Sequence, residues 1–217
     1  PYTWSYPQPE RIKNPLIYEA HVGMSSEEPG VATFNYFREN VIPHIAKLGY
    51  NTIQLMAVQE HPYYGSFGYQ VSGFFAVSSR FGTPEELKML IDEAHAHKIA
   101  VILDIIHSHA VNNVLEGLSL FDGSGNLYFH NGERGYHPAW TSRCFDYGKN
   151  EVLHFLLSNC KYWLEEYRFD GFRFDGITSM IYYDHGLGKD FTDYSCYFDG
   201  NQDEDALTYL TLANELV

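Results

Sequence analysis

The sequence predicts an α/β fold built around a parallel sheet. Three observations carry that expectation. Apolar runs of strand length alternate with segments of helical period. One of those runs, IAVILDII (99–106), is apolar almost throughout, as a strand covered on both faces must be. The connections after strands are long and the returns after helices are short, which puts a site at the carboxyl ends of parallel strands.

The elements follow in order. PLIYEAHVG (15–23) reads as strand one. FNYFRENVIPHIAKLG (34–49) has helical spacing, with Pro43 kinking or dividing it. NTIQLMAV (51–58) is strand two, and an aromatic, glycine-rich stretch over 60–84 reads as a loop. Thr83-Pro84-Glu85-Glu86 opens a helix that runs to about Lys98: Thr83 caps, Pro84 fits the first turn and Glu86 reaches back. Strand three is 99–106. The polar stretch 107–149 is too long for a neutral connection, so a functional loop is expected. NEVLHFLLSNCKYWLEEY (150–167) is an amphipathic helix, GFRFDGI (171–177) is strand four, and DEDALTYLTLANELV (203–217) is a final helix. Four strand–helix units do not close an eight-stranded barrel. They make either the first half of one or an open doubly wound sheet.

Composition removes several functions. The 217 residues carry a net charge of −14, which repels phosphate backbones and anionic lipid, so neither nucleic acid nor membrane is an expected partner. No GxGxxG follows a strand and there is no P-loop, so nucleotide binding has no support. No apolar run is long enough to span a bilayer. Cys144, Cys160 and Cys196 are an odd set without CxxC spacing, which fits buried thiols in a reducing compartment. The first residues, PYTWSYPQPE, lack Met, and the chain reads as a piece of a longer polypeptide.

Residues 168–176, RFDGFRFDG, write one quartet twice at an offset of five. Strand side chains alternate with period two, so the odd offset gives the two aspartates different roles. Asp170-Gly171 falls where helix turns to strand, and reads as turn chemistry with Arg168 solvated. Arg173 and Asp175 share a face at the carboxyl end of the strand, with Phe172 and Phe174 on the other face, toward the outer helices. A carboxylate beside a guanidinium stays ionised, which suits a nucleophile; a purely structural ion pair is the alternative. Other strand ends deliver Asp104, His107 and His109, and Glu60, His61, Tyr69 and Gln70 follow strand two. His107 and His109 form an HxH that a zinc site can use, although such pairs in metal-dependent barrels end the first strand.

Taken together, GYQ…FFAVSSRFGTPEELKMLIDEAH, VILDIIHSHA and DGFRFDGITSM resemble successive motifs of the α-amylase superfamily, glycoside hydrolase family thirteen. IYEAHVG, NTIQLMAV, EHPYYGSFGYQ, EEYRFDGFRFDGITSM and DEDALTYLTLAN are nearer still to its eukaryotic-type 1,4-α-glucan branching subgroup. The resemblance runs from about Leu16 to Val217. It implies that residues 1–217 are the N-terminal half of a catalytic (β/α)8 TIM barrel, incomplete as a stand-alone domain, with the 107–149 loop between strand three and helix three. It implies Asp175 as the nucleophile that takes up the glycosyl group, and Arg173 as the arginine that holds that carboxylate ionised and aimed. His109 is implied to hydrogen-bond the glucose beside the scissile bond, Tyr69 to stack on the same sugar, Asp104 to organise the site and Gln70 to border the sugar. The implied partner is an α-1,4-glucan such as glycogen or starch, with no cofactor, in the cytoplasm or, for a plant source, a plastid.

One departure from the family matters. Ser108 stands before His109 where the α-amylases place an asparagine that binds calcium, so no calcium site is expected there. Retaining glycoside chemistry needs two carboxyl groups about 5–5.5 Å apart. The family draws its acid/base Glu from strand five and a helper Asp from strand seven, and Glu60 matches neither, so the 217 residues alone are expected to be inactive. A non-catalytic carbohydrate-binding barrel and an α-glucan hydrolase are the other readings. Tyr63, Tyr64, Phe67, Trp140 and Tyr147 are sugar platforms or, more simply, packing.

Overall fold

The computed structural model describes residues 1–217. The chain forms two units, Pro1–Ile105 with Lys161–Arg173, and Ile106–Cys160 with Phe174–Val217. In the first unit, strand β1 (Ile17–Ala20) is shorter than its apolar run. Beyond it His21 accepts the Met24 amide at Nδ1 (3.2 Å) and caps a single 3₁₀ turn, Val22–Met24. The helix expected over 34–49 is present in three pieces: α1 (Phe34–Tyr36), a π-helical turn Phe37–Val41, and α2 (Ile42–Leu48). Pro43 lies in the first turn of α2. It has no N–H to donate and its ring crowds the preceding turn, and the wider π turn absorbs both defects. Strand β2 (Thr52–Leu55) follows.

The stretch over 60–84 is more ordered than its composition suggests. It holds a small antiparallel sheet of β3 (Gln59–Glu60) and β4 (Gly73–Val77), with a register shift between Gln59 and Glu60. That irregularity explains why no alternating pattern marked GFFAV as a strand. Helix α3 (Pro84–Ala96) begins as predicted. The Glu86 amide donates to Thr83 Oγ1 (3.2 Å) and the Thr83 amide to Glu86 Oε2 (2.7 Å). Strand β5 (Ala100–Ile105) is buried at every position except Ile102.

In the second unit, β6 (Ala110–Val111) and β7 (Ser142–Arg143) pair antiparallel within the long loop. Helix α4 (Asn150–Tyr167) starts in this unit and ends in the first, where Trp163 is fully buried and donates its indole N–H to the Phe74 carbonyl (3.2 Å). Strand β8 (Gly171–Phe174) completes the main sheet, and helices α5 (Ile177–Ile181) and α6 (Glu204–Leu216) follow it.

The main sheet has the order β1-β2-β5-β8. Its first pairs are parallel, with Ile17 opposite Thr52 and Thr52 opposite Ala100. Each new strand adds on the same side as the last. A doubly wound sheet reverses its order at a switch point and a barrel does not. The strand order therefore selects the partial barrel over the open sheet. Ile53, Leu55, Val101, Leu103 and Ile105 are fully buried. No helix is long and apolar enough to cross a membrane.

The first quartet is not an ordinary turn. Asp170 Oδ2 accepts from the Val101 amide (2.7 Å) and from His95 Nε2 (2.9 Å), and its own amide donates to the Val101 carbonyl (2.8 Å). Arg168, expected to be solvated, lies over the Trp4 ring at 4.9 Å. Asp170 thus clamps the entry of β8 to β5. The long loop owes its order to a buried cation. Arg143 is 2% exposed and donates to the carbonyls of Ser119 (2.9 Å), Gly125 (2.7 Å) and Gly135 (3.0 Å). The Phe129 and Tyr136 rings lie over its guanidinium at 4.6 and 4.4 Å.

Candidate active site

In the first unit, a polar chain runs across the sheet near the carboxyl ends of its strands. Gln54 on β2 donates to Glu19 Oε1 on β1 (3.1 Å) and to Asp104 Oδ1 on β5 (2.9 Å). Arg173 on β8 donates to Asp104 Oδ2 (3.2 Å), and the Tyr69 hydroxyl donates to the same oxygen (2.7 Å). Asp104 is fully buried while Arg173 keeps 44% of its side chain exposed. A buried carboxylate is tolerable only when its oxygens are satisfied, and three donors from three different segments do that here. The arrangement leaves Asp104 as a hub that fixes the Tyr69 ring and the Arg173 guanidinium at once.

Tyr69 reaches this hub because its loop is drawn onto the end of β2. Gly68 has φ +90°, and a Cβ there would lie 2.3 Å from the Ala57 carbonyl oxygen, so only glycine permits the approach. Gln70 follows Tyr69 and is half-buried. Glu60 serves the loop instead of the site: its Oε2 accepts the Ser79 amide (2.9 Å), its Oε1 accepts the His61 amide (3.1 Å), and Arg80 lies 3.6 Å away. Gln54 and Glu19 were not singled out from the sequence. Their signal was a polar residue in the middle of each of two apolar strand runs.

In the second unit, Asp175 is half-buried just past the end of β8, and Gly176 after it adopts φ +69°. A Cβ on Gly176 would lie 2.7 Å from Ser108 Oγ and 3.4 Å from the Trp140 ring. His109 is 3% exposed, its Nδ1 has no hydrogen-bond partner, and its ring centroid lies 4.9 Å from that of Trp140. Burial and the nearby His137 push the His109 pKa down to about 4, so the imidazole is neutral at pH 7. The structure brings Tyr69, Asp104 and Arg173 together in one unit, and His109 and Asp175 belong to the other.

His107 and His109 do not act as a pair. His107 is fully buried, and Nε2 donates to Asn159 Oδ1 (2.9 Å) while Nδ1 accepts from the Tyr209 hydroxyl. Both nitrogens are committed to protein groups, which removes His107 as a zinc ligand. Burial, opposed by the Asn159 bond, pushes its pKa down to about 4. Tyr147 is buried, donates to the His107 carbonyl (2.6 Å) and stacks on Tyr209, so it is packing. Tyr63 and Phe67 are exposed.

The Alpha-amylase family ("Alpha amylase, catalytic domain") matches residues 39–120. Over its whole length the chain is 59% identical to 1,4-α-glucan-branching enzyme 2-2, chloroplastic/amyloplastic, of Arabidopsis thaliana, covering 27% of that protein. It is 57% identical to the 1,4-α-glucan-branching enzyme of Aspergillus oryzae, of which it covers 32%, and 57% identical to that of Equus caballus, of which it covers 31%. The chain thus spans about a third or less of the length of these relatives. Among solved structures, the α-amylase of Geobacillus thermoleovorans complexed with acarbose superposes with a TM-score of 0.63 at 24% identity, over 74% of this chain and 40% of that one. A putative α-amylase of Salmonella typhimurium gives 0.61 at 28% identity, over 73% of this chain and 25% of that one. The strand order is that of a partial barrel, residues 39–120 match an α-amylase catalytic domain, and the whole chain is similar to a segment of 1,4-α-glucan-branching enzymes.

Proposed function

We propose that residues 1–217 supply the amino-terminal half of the catalytic barrel of a 1,4-α-glucan-branching enzyme, which transfers a glucan segment from an α-1,4 to an α-1,6 linkage. The observation that carries this reading is identity of 57–59% over the whole chain to branching enzymes of a plant, a fungus and a mammal. The hub of Tyr69, Asp104 and Arg173 supports it, because such a network holds a ring and a cation rigid at the strand ends, where barrel chemistry is built.

In this reading Asp175 is the nucleophile. Its carboxylate attacks the anomeric carbon of an α-1,4-linked glucose, the bond to the leaving oxygen breaks, and that oxygen takes a proton from a carboxylic acid outside residues 1–217. The glucan is then held as an ester on Asp175. The 6-hydroxyl of another glucan attacks the same carbon, releases Asp175 and gives its proton back to the outside carboxylate. Arg173 keeps negative charge favoured at this strand end, neutral His109 hydrogen-bonds a sugar hydroxyl, Tyr69 offers its ring to the sugar and Gln70 borders it. The chemistry calls on no metal or cofactor from these residues. Glycogen or starch is the polymer according to source, and the compartment follows: the Arabidopsis relative is chloroplastic/amyloplastic by name.

The test is incubation of the longer polypeptide that contains this chain with linear amylose, followed by measurement of new α-1,6 linkages. Branches are the expected product, and Asp175→Asn is expected to lower kcat on the order of 10⁴-fold or more. Release of reducing ends without branches would make the protein a hydrolase. Full branching by Asp175→Asn would remove Asp175 from the chemistry.

A further inference from the structure

His137 is a buried histidine that the proposed chemistry does not use, and its surroundings are specific. It is 2% exposed. Its Nδ1 accepts two backbone N–H groups, those of Ala139 (3.2 Å) and Trp140 (3.1 Å). An atom that accepts twice carries no proton, so the hydrogen sits on Nε2, which donates to Ser179 Oγ (2.8 Å). Burial and the neighbouring His185 push the pKa down to about 4, in keeping with a neutral ring in this single tautomer.

The same ring stacks on the Trp140 indole, with centroids 4.0 Å apart and planes 5° from parallel. Trp140 is therefore held twice by one side chain, through its backbone amide and through one face of its ring. Thr141, the next residue, has φ +52°, an uncommon conformation for a β-branched residue, and its amide donates to the His137 carbonyl (3.2 Å). Trp140, so held, stays 39% exposed as a residue. It lies beside His109 and against the Gly176 backbone, one residue after Asp175. The apolar C–H face of a pyranose is a ligand surface that fits a flat, partly exposed ring flanked by a neutral imidazole.

We propose that His137 is a positioning residue that fixes the Trp140 indole as a sugar-stacking wall beside His109 and the Asp175–Gly176 turn. This assignment rests on the α-glucan reading above. It gives Trp140 direct contact with the glucan, and gives His137 two separable contributions: the acceptor that folds the 137–140 turn, and the face that aligns the ring.

Steady-state branching of linear amylose by the longer polypeptide tests it, with thermal melts as the control for folding. Trp140→Leu is expected to raise KM about tenfold with kcat within about twofold, the pattern of lost substrate binding. His137→Ala removes both contributions and is expected to raise KM similarly. His137→Asn restores an acceptor for the two amides without the stack, and His137→Phe restores the stack without the acceptor; each is expected to recover part of the loss. An active enzyme whose KM is unmoved in Trp140→Leu overturns the assignment and leaves the branching reading standing. If Trp140→Leu raises KM but His137→Ala, melting normally, does not, the positioning role of His137 is overturned. An unsubstituted protein that does nothing to α-glucans overturns the branching reading and this assignment with it.

Discussion

Two aspartates in one doubled quartet stand in different surroundings. Asp170 spends its carboxylate on the Val101 amide and His95, so it joins strand to strand. Asp175, an odd number of residues later, comes past the strand end and before a glycine in left-handed conformation. At the same scale His107 is a buried acceptor and donor that never carries charge near neutrality. Its pKa of about 4 in the fold lies below the ordinary 6.5, so between those values the unfolded chain binds more protons. The stability it contributes is complete above pH 6.5 and is lost as the pH falls toward 4. At pH 5 the loss from this residue is about 2 kcal/mol. Chemical denaturation at pH 7 and pH 5 checks this: the difference between the two is expected to shrink by about that amount in His107→Gln, whose side chain does not titrate.

Among the elements, the 107–149 loop has almost no regular structure apart from two-residue strands and a single 3₁₀ turn, yet it is built around Arg143. A guanidinium has five donors in a fixed plane, which suits three carbonyls and two aromatic faces; an ammonium has neither the fork nor the flat faces. Arg143→Lys keeps the charge, and is expected to destabilise the protein by about 2 kcal/mol through carbonyls left unpaired. Limited proteolysis should then cut within 119–136 well before the wild type is cut. Gly176 is as constrained: its φ of +69° and the Ser108 side chain, 2.7 Å from where a Cβ would stand, both oppose any larger residue at the turn after β8.

At the scale of the whole molecule, the main sheet ends at β1 on one side and β8 on the other. Edge strands offer unpaired backbone groups, and Leu16 and Ile17 at the β1 edge are exposed. The isolated 217 residues are expected to bind a hydrophobic dye, to associate at micromolar concentration and to form no α-1,6 linkages. Light scattering and a branching assay on the isolated chain check this, and a sharply melting, active monomer would contradict it.

Local chemistry wrote much of this protein into its sequence. The Thr83–Glu86 cap, the division at Pro43 and the strand over 100–105 are decided by neighbours within a few residues, so they could be read directly. That the two aspartates fall in different places, one before the strand and one after it, was legible too, but the clamp that Asp170 makes to Val101 and His95 was not. What tertiary structure alone decided depends on residues far apart in the chain. The strand order that separates a barrel from an open sheet is one case, and the strand pair at β3 and β4, hidden by its register shift, is another. The Glu19–Gln54–Asp104–Arg173 chain joins four strands spread over more than 150 residues, and the long loop is organised around one buried guanidinium. Sequence periodicity reports which face a side chain takes; it carries no record of which distant partner shares that face, and hydrogen bonds between such partners exist only once the strands lie side by side.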